Sequence, residues 1–214
     1  YWLGEQFFLE AEKLKLLRPD LYEHEYLGTV TGTGGDVFSN VEERTITDEE
    51  IATFDYIKHG VDFGFAVDQF VYVKLYYDKK HEAVYVYDEV YGVKLSNKAA
   101  YKKIKDKVGD AVVYADSAEP KSIAEFNELG MNMEGVLKGG DSRDFGIKWL
   151  SDRAKIYIDK KRCPNAYREF VTYEFDTDKD GNFISQYPKH NDHTIDAGRY
   201  ALRRDMVTGK RFEW

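Results

Sequence analysis

Asp62, Asp116 and Asp196 each occupy a position where a carboxylate is costly to keep and a ligand is convenient to hold. Asp62 lies within VDFGF, in the middle of an apolar and aromatic run that reads as a strand, near a glycine that leaves room for another group to approach. Asp116 closes the run AVVYAD, and the carboxyl end of a buried strand is where open α/β sheets place their ligands. Asp196 follows Asp192 and His193 by one helical turn in NDHTIDAGRYAL. Carboxylates gathered in one place repel one another and resist burial unless a cation neutralises them. Oxygen ligands without sulfur select Mg2+ or Mn2+, and two such ions about 4 Å apart can activate a water and stabilise the leaving oxygen of a phosphodiester. Taken singly, each residue also has a plainer role open to it. Asp62 could pair with a lysine, Asp116 could cap the next helix, and Asp196 could bridge to Arg199.

The elements that must position these residues follow from the hydrophobic pattern. YIKHGVDFGF, FVYVKLYYD and AVYVYDEVYG are rich in Val, Tyr and Phe, alternate in polarity and are separated by short polar stretches, so they predict three consecutive antiparallel strands. SNKAAYKKIKDKV is a basic amphipathic helix with Ala99, Ile104 and Val108 inward. The near-continuous apolar run of AVVYAD implies cover on both faces, and KSIAEFNELG is a helix stopped at Gly130. A strand from Met133 to Leu137, a helix through FGIKWLSDRA capped by Asp141 or Ser142, and a strand IYID come next. A helix beginning at residue 165 runs into a strand FVTYEF that pairs with FISQY as a hairpin, and NDHTIDAGRYALRRDM is the last helix. Upstream, residues 4 to 16 show helical spacing, residues 20 to 44 read as an extended or looped connection, and Thr47 with Glu50 marks the start of a short helix.

Composition narrows the class. The 214 residues fit a single domain with an appendage, and 43% apolar with 15% aromatic residues suffices for a core. Cys163 alone excludes an intramolecular disulfide and a cysteine zinc cluster. No apolar run reaches the ~18 residues of a membrane span, so no membrane partner is expected. The net charge of −8 argues against a nucleic-acid partner at face value. It is unevenly placed, however: residues 1–54 hold 12 acids and 4 bases, leaving 27 of each in residues 55–214. The absence of an initiator Met and of a signal sequence suggests an excised fragment, with residues 1–54 separate from a main domain at 55–214. Residues 138 to 162 carry eight Lys and Arg against four acids, a strip suited to a phosphate backbone.

Two motifs invite chemistry and fail on inspection. TGTGGD lacks the Lys-Ser/Thr of a phosphate loop and no helical pattern follows it. Asp176, Asp178, Asp180 and Gly181 match the start of a calcium loop, but Tyr187 stands where the bidentate Glu is needed, and Asp and Gly also suit a hairpin tip.

The order of strands, the placement of the aspartates and the HxxDA pattern of the late helix resemble the ribonuclease H-like nuclease fold. More narrowly, LGTVTGTGGDVF, GVDFGF, YADSAEPKSI, LKGGDSRDFGIKWL and NDHTIDAGRYAL, in that order across residues of about 20 to 204, are similar to the C-terminal nuclease domain of the large terminase subunit of tailed bacteriophages. The resemblance implies an α/β fold with a mixed central sheet, flanking helices and an added β-hairpin. It implies an endonuclease that uses Mg2+ or Mn2+, as two ions, to cut concatemeric viral DNA in the host cytoplasm at the prohead. The terminase small subunit and the portal protein would be its partners, and an ATPase motor would precede residues 1–54, which would be its tail and linker. Asp62, Asp116 and Asp196 match the metal-binding triad, and His193 matches a histidine of the same helix that could ligate a metal, orient a water or protonate the leaving oxygen. Asp192 could replace Asp196 as a ligand, and Glu119, Asp88 and Glu89 are candidates for a fourth carboxylate. Lys121, Lys138, Arg143 and Lys148 are the bases expected to meet DNA. The alternatives are a Holliday-junction resolvase or transposase-like nuclease of the same fold, and a non-catalytic module that docks a partner through its aromatic sheet and acidic segment.

Overall fold

The computed structural model describes residues 12–13, 15–16, 35–64, 69–136 and 142–208. The amino-terminal helix expected over residues 4 to 16, the Met133–Leu137 strand's last residue and Lys138 therefore lie at or outside the limits of the described residues. The chain divides into two compact units, one built on Phe38–Tyr173 with the residues from Pro188, the other on Glu174–Tyr187 with the segment ending at Val37.

The larger unit is a seven-stranded mixed sheet with helices on its faces. In chain order its elements are β1 (Val41–Glu43), α1 (Asp48–Ile51), β2 (Lys58–Asp62), β3 (Gln69–Asp78), β4 (Ala83–Val93), α2 (Asn97–Val108), β5 (Val112–Asp116), α3 (Pro120–Glu128), β6 (Asn132–Val136), α4 (Ser142–Ser151), β7 (Lys155–Ile158), α5 (Pro164–Thr172), α6 (His193–Ala201) and α7 (Arg203–Thr208). The strands lie in the order β1-β7-β4-β3-β2-β5-β6. β2, β3 and β4 form the antiparallel meander that the alternating Val/Tyr/Phe runs require. β5 joins β2 in parallel, with Gly60 opposite Tyr114 and Val61 opposite Ala115, so Asp62 and Asp116 end side by side at the same edge.

Successive residues of a strand face opposite sides of the sheet. On one side Val61, Phe70, Tyr72, Val113 and Ala115 pack against Ala100, Ile104 and Val108 of α2 and Phe126 of α3. Phe70 and Phe126 stack with centroids 6.0 Å apart. Burying each of these large side chains stabilises the fold by roughly 1.5–3 kcal/mol. On the other side Gly60 faces α6, and a Cβ there would come within 1.9 Å of the Ala197 carbonyl oxygen. Only glycine lets this helix lie flat on β2.

Several boundaries differ from those the sequence predicts. β2 ends at Asp62 rather than running through it, since the chain turns back immediately and the Gly64 amide meets the Gln69 carbonyl. Ala100, not Ala99, is the buried alanine of α2. β5 alternates in burial instead of being dry on both faces: Tyr114 is half-buried, with the Arg204 guanidinium over its ring. FVTYEF is not a strand: Phe170–Thr172 end α5, Tyr173 is its extended C-cap, and Glu174 makes an isolated bridge to Asp36. The hairpin survives in the smaller unit as a bridge between Thr177 and Phe183, with Asp178 Oδ1 accepting from the amides of Asp180 and Asn182. The Asp/Gly-rich loop thus uses its carboxylate to close a turn. The last helix breaks at Leu202 into α6 and α7. Val41–Glu43, expected as part of an extended or looped connection, adds an edge strand parallel to β7, and Thr47 caps α1 by accepting from the Glu50 amide. The unit that carries the sheet therefore starts upstream of residue 55.

Candidate active site

Three elements of the larger unit deliver the acidic residues. β2 and β5 end in Asp62 and Asp116, and α6 is laid across them by the Gly60 contact. The chain enters α6 through Asn191, whose φ of 54° is one that Asn tolerates better than most residues. His193, the first residue of α6, places its Nδ1 2.9 Å from Asp62 Oδ2. One turn later Asp196 faces the same cluster, and the Tyr200 hydroxyl donates to Asp116 Oδ2 at 3.3 Å.

The electrostatics show that the carboxylates share one field. Burial pushes the Asp62 carboxyl up to about 6, the hydrogen bond from His193 opposes this, and Asp196 and Asp116 add to the rise. His193 is pushed up to about 9, mainly by its bond to Asp62. At neutral pH the pair is therefore imidazolium and carboxylate, with a proton on Nδ1 directed at Asp62. The Asp62 and Asp196 side chains remain 13% and 17% exposed, dry enough for strong interaction and open enough for a small ligand to reach.

Neighbouring residues fix this arrangement. Glu169 of α5, buried, accepts from the Thr194 amide at 2.7 Å and from the Thr194 hydroxyl at 2.6 Å, and so caps the start of α6. Asp192 does not cap it. Its Oδ2 is 2.5 Å from Arg143, whose guanidinium also donates to the Tyr173 hydroxyl and the Pro188 carbonyl. Arg143 instead braces the loop before α6. Arg199 places Nε and Nη2 each 2.9 Å from Asp196 Oδ1.

Of the candidates for a fourth carboxylate, Asp88 is held by Lys107 at 2.7 Å. Glu89 caps α5 through the Asn165 and Ala166 amides, and Glu119 is the N-cap residue of α3, where it accepts from Ser122. Lys121 is exposed in the first turn of α3, and Lys148, also exposed, pairs with Asp152 at 2.9 Å. Among the described residues no three His, Cys, Asp or Glu side chains converge as they stand into an ion cage. The reason is visible: Asp62 is turned to His193, Asp116 to Tyr200 and the Ala118 amide, and Asp196 to Arg199. The donor set of three carboxylates, with mutual repulsion to relieve, nonetheless fits a hard divalent cation.

This geometry accords with sequence relationships. Residues 62–204 match the family described as the terminase RNase H-like domain, a span that runs from the first aspartate past the last. The chain belongs to this terminase family. It is 41% identical, over its whole length, to the large terminase subunit of Bacillus phage SPP1, and 29% identical over 94% of its length to the PBSX phage terminase large subunit of Bacillus subtilis (strain 168). It spans 52% and 47% of those proteins, about half of each. A crystal structure of the SPP1 g2p (large terminase) nuclease domain with bound Mn superposes with a TM-score of 0.75 at 40% identity, covering 78% of this chain and 98% of that one. The terminase nuclease fold is thus the fold of this chain. Among its described residues no helix is long and apolar enough to cross a membrane.

Glu169, Arg199 and Tyr200 are the site residues that sequence reasoning missed or left in a plain role. A buried glutamate leaves no periodic signature, and only the distance from α5 to α6 in the fold reveals it. Arg199 lay within reach, three residues from Asp196 on the same helix.

Proposed function

We propose that this chain is the nuclease part of a large terminase subunit, a divalent-metal-dependent endodeoxyribonuclease that cuts concatemeric viral DNA during genome packaging. The observation that carries this reading is the meeting of Asp62, Asp116 and Asp196 from β2, β5 and α6 in one electrostatic cluster, where burial first, with Asp196 and Asp116 adding to it, raises the half-buried Asp62 to about 6. Asp62, Asp116 and Asp196 would hold Mg2+ or Mn2+, which when bound supplies an activated water and charge neutralisation at the phosphate. Asp62 and Asp116 come from rigid neighbouring strands, so their spacing is set by the sheet. His193 keeps one imidazolium proton on Nδ1 for Asp62 and offers the other at Nε2, where a leaving oxygen could take it. Asp192, engaged by Arg143, holds the entry to α6 in place and leaves the ligand role to Asp196.

The reading extends to the setting. The chain would work in the host cytoplasm at the prohead, with double-stranded DNA as substrate and the small subunit and portal as partners. Residues upstream of the sheet would lead in from an ATPase motor. Lys121, Lys138 and Lys148 would contact the DNA backbone, which reads no sequence.

Supercoiled plasmid tests it. Wild type with Mn2+ or Mg2+ converts the plasmid to nicked and linear forms, EDTA prevents this, and Asp62→Ala loses at least ~100-fold in rate, the scale on which one key electrostatic group matters. Undiminished cutting by Asp62→Ala overturns the mechanism. Preferential cutting of four-way junctions over linear duplex would move the substrate from concatemers to branched DNA.

A further inference from the structure

Arg199 is a buried arginine beside the cluster, and the geometry points to it as the positioning residue that orients Asp196 toward a metal. Its residue surface is 6% exposed. Nε and Nη2 both meet Asp196 Oδ1 at 2.9 Å, so two donors converge on one oxygen and turn the other, Oδ2, away from the guanidinium. The guanidinium is itself fixed on other sides. Nη1 reaches the Ser142 carbonyl at the start of α4 at 3.4 Å, and the group lies 5.1 Å from the centroid of the Tyr200 ring.

The slot for this side chain is built into the sequence. Gly146 of α4 faces it, and a Cβ at that position would lie 2.7 Å from Arg199 Cδ. A side chain at residue 146 would therefore crowd the stem of Arg199 and shift its guanidinium. Tyr200, under the guanidinium, donates to Asp116 Oδ2, so Arg199 and Tyr200 together brace the carboxylates of α6 and β5. A planar fork held on several sides sets an oxygen's direction in a way that a lysine ammonium on a flexible stem does not. Groups that orient metal-ligating carboxylates typically change metal affinity by ~10–100-fold when replaced.

This inference rests on the proposed metal site, so the test separates the two. Mn2+ is titrated into the full 214-residue chain, and free Mn2+ is followed by its electron paramagnetic resonance signal. Wild type is compared with Arg199→Lys, which preserves charge but loses the fork, with Gly146→Ala, which keeps Arg199 and crowds its slot, and with Asp196→Asn. Melting in EDTA is measured alongside as the readout of a purely structural role. Arg199→Lys is expected to weaken Mn2+ binding about 10-fold, with Gly146→Ala shifting it in the same direction by less. Mn2+ binding by Arg199→Lys equal to wild type, while Asp196→Asn loses it, overturns the positioning role alone. Absence of binding by wild type, or full binding by Asp196→Asn, overturns the metal site and the inference with it. Should Arg199→Lys fail to fold, Gly146→Ala decides: wild-type affinity there overturns the role.

Discussion

At the scale of single residues, two histidines three positions from an aspartate partner or neighbour behave in opposite ways because of where the sheet puts them. His193 gains a carboxylate and is raised to about 9. His59, on the opposite face of β2 from α6, is buried against the Tyr72 hydroxyl at 2.9 Å and is lowered to about 4, by burial first and by Lys74 second. The unfolded chain therefore takes up a proton at His59 before the folded chain does, and folding is favoured less as pH falls. Stability from this source is complete above pH ~6.5 and is drawn down as pH falls toward 4. The expected loss by pH 4 is on the order of 3 kcal/mol. Urea unfolding of wild type and His59→Gln across pH 4 to 7 isolates it, because the carboxylates titrate alike in both proteins. Parallel stability curves would refute this account. That Asp62 and Asp116 end neighbouring strands was legible from sequence because charge at or within an apolar run is conspicuous. Glu169 was not, since its purpose is set by Thr194, a residue 25 positions away.

At the scale of elements, the geometry of the candidate site depends on how closely α6 can approach β2. The contact is backbone to backbone: the Gly60 Cα faces the Ala197 carbonyl, and Ala201 Cβ would be 3.0 Å from an added Cβ. Gly60→Ala cannot be absorbed by rotating a side chain. It should cost more than about 2 kcal/mol, the upper part of the range for overpacking, and should displace His193 and Asp196 from Asp62. Plasmid cutting would then fall even at temperatures where circular dichroism shows the variant folded. A variant as active as wild type would mean that α6 is not held by this contact. The meander, α2 and α3 were readable because long alternating or amphipathic segments state their own period. The short edge strand β1 was not, because three residues carry no periodicity and β1 exists only through its pairing with β7. FVTYEF failed for the complementary reason: β-branched and aromatic residues favour strands weakly, and packing of Ala166 and Phe170 in the core carried the helix through to Thr172.

At the scale of the whole molecule, dividing charge by sequence position gave an acidic segment before residue 55 and a basic strip over 138–162, but within the sheet unit the fold brings the described end of the first against the second. β1 and α1 bring Glu42, Glu43 and Asp48 to the strip, where Lys155 pairs with Glu42 at 3.1 Å, Lys160 with Glu43 at 3.1 Å and Arg162 with Asp48 at 2.6 Å. Arg153 lies over the Trp149 ring and donates to the Tyr77 hydroxyl, and Arg143 is committed to Asp192. Most of the apparent positive field is thus spent on ion pairs within the sheet unit. Glu42, Glu43 and Asp48, three of the twelve acids before residue 55, are thereby set against bases of the strip. Under the proposed function, DNA contact would then fall to cations on the Asp116 side, of which Lys121 is exposed just past the end of β5. Neutralising one phosphate contact changes the slope of log affinity against log salt by about 0.9. Lys121→Ala should reduce that slope by about one contact and weaken duplex binding, measured by fluorescence anisotropy with Ca2+ in place of the catalytic ion. The double substitution of Lys155 and Lys160 by Ala should leave slope and affinity unchanged and cost at most ~1–2 kcal/mol of stability for two exposed pairs. The reverse pattern, with DNA binding lost on removing Lys155 and Lys160 and kept without Lys121, would put the duplex along β7 and away from the carboxylates.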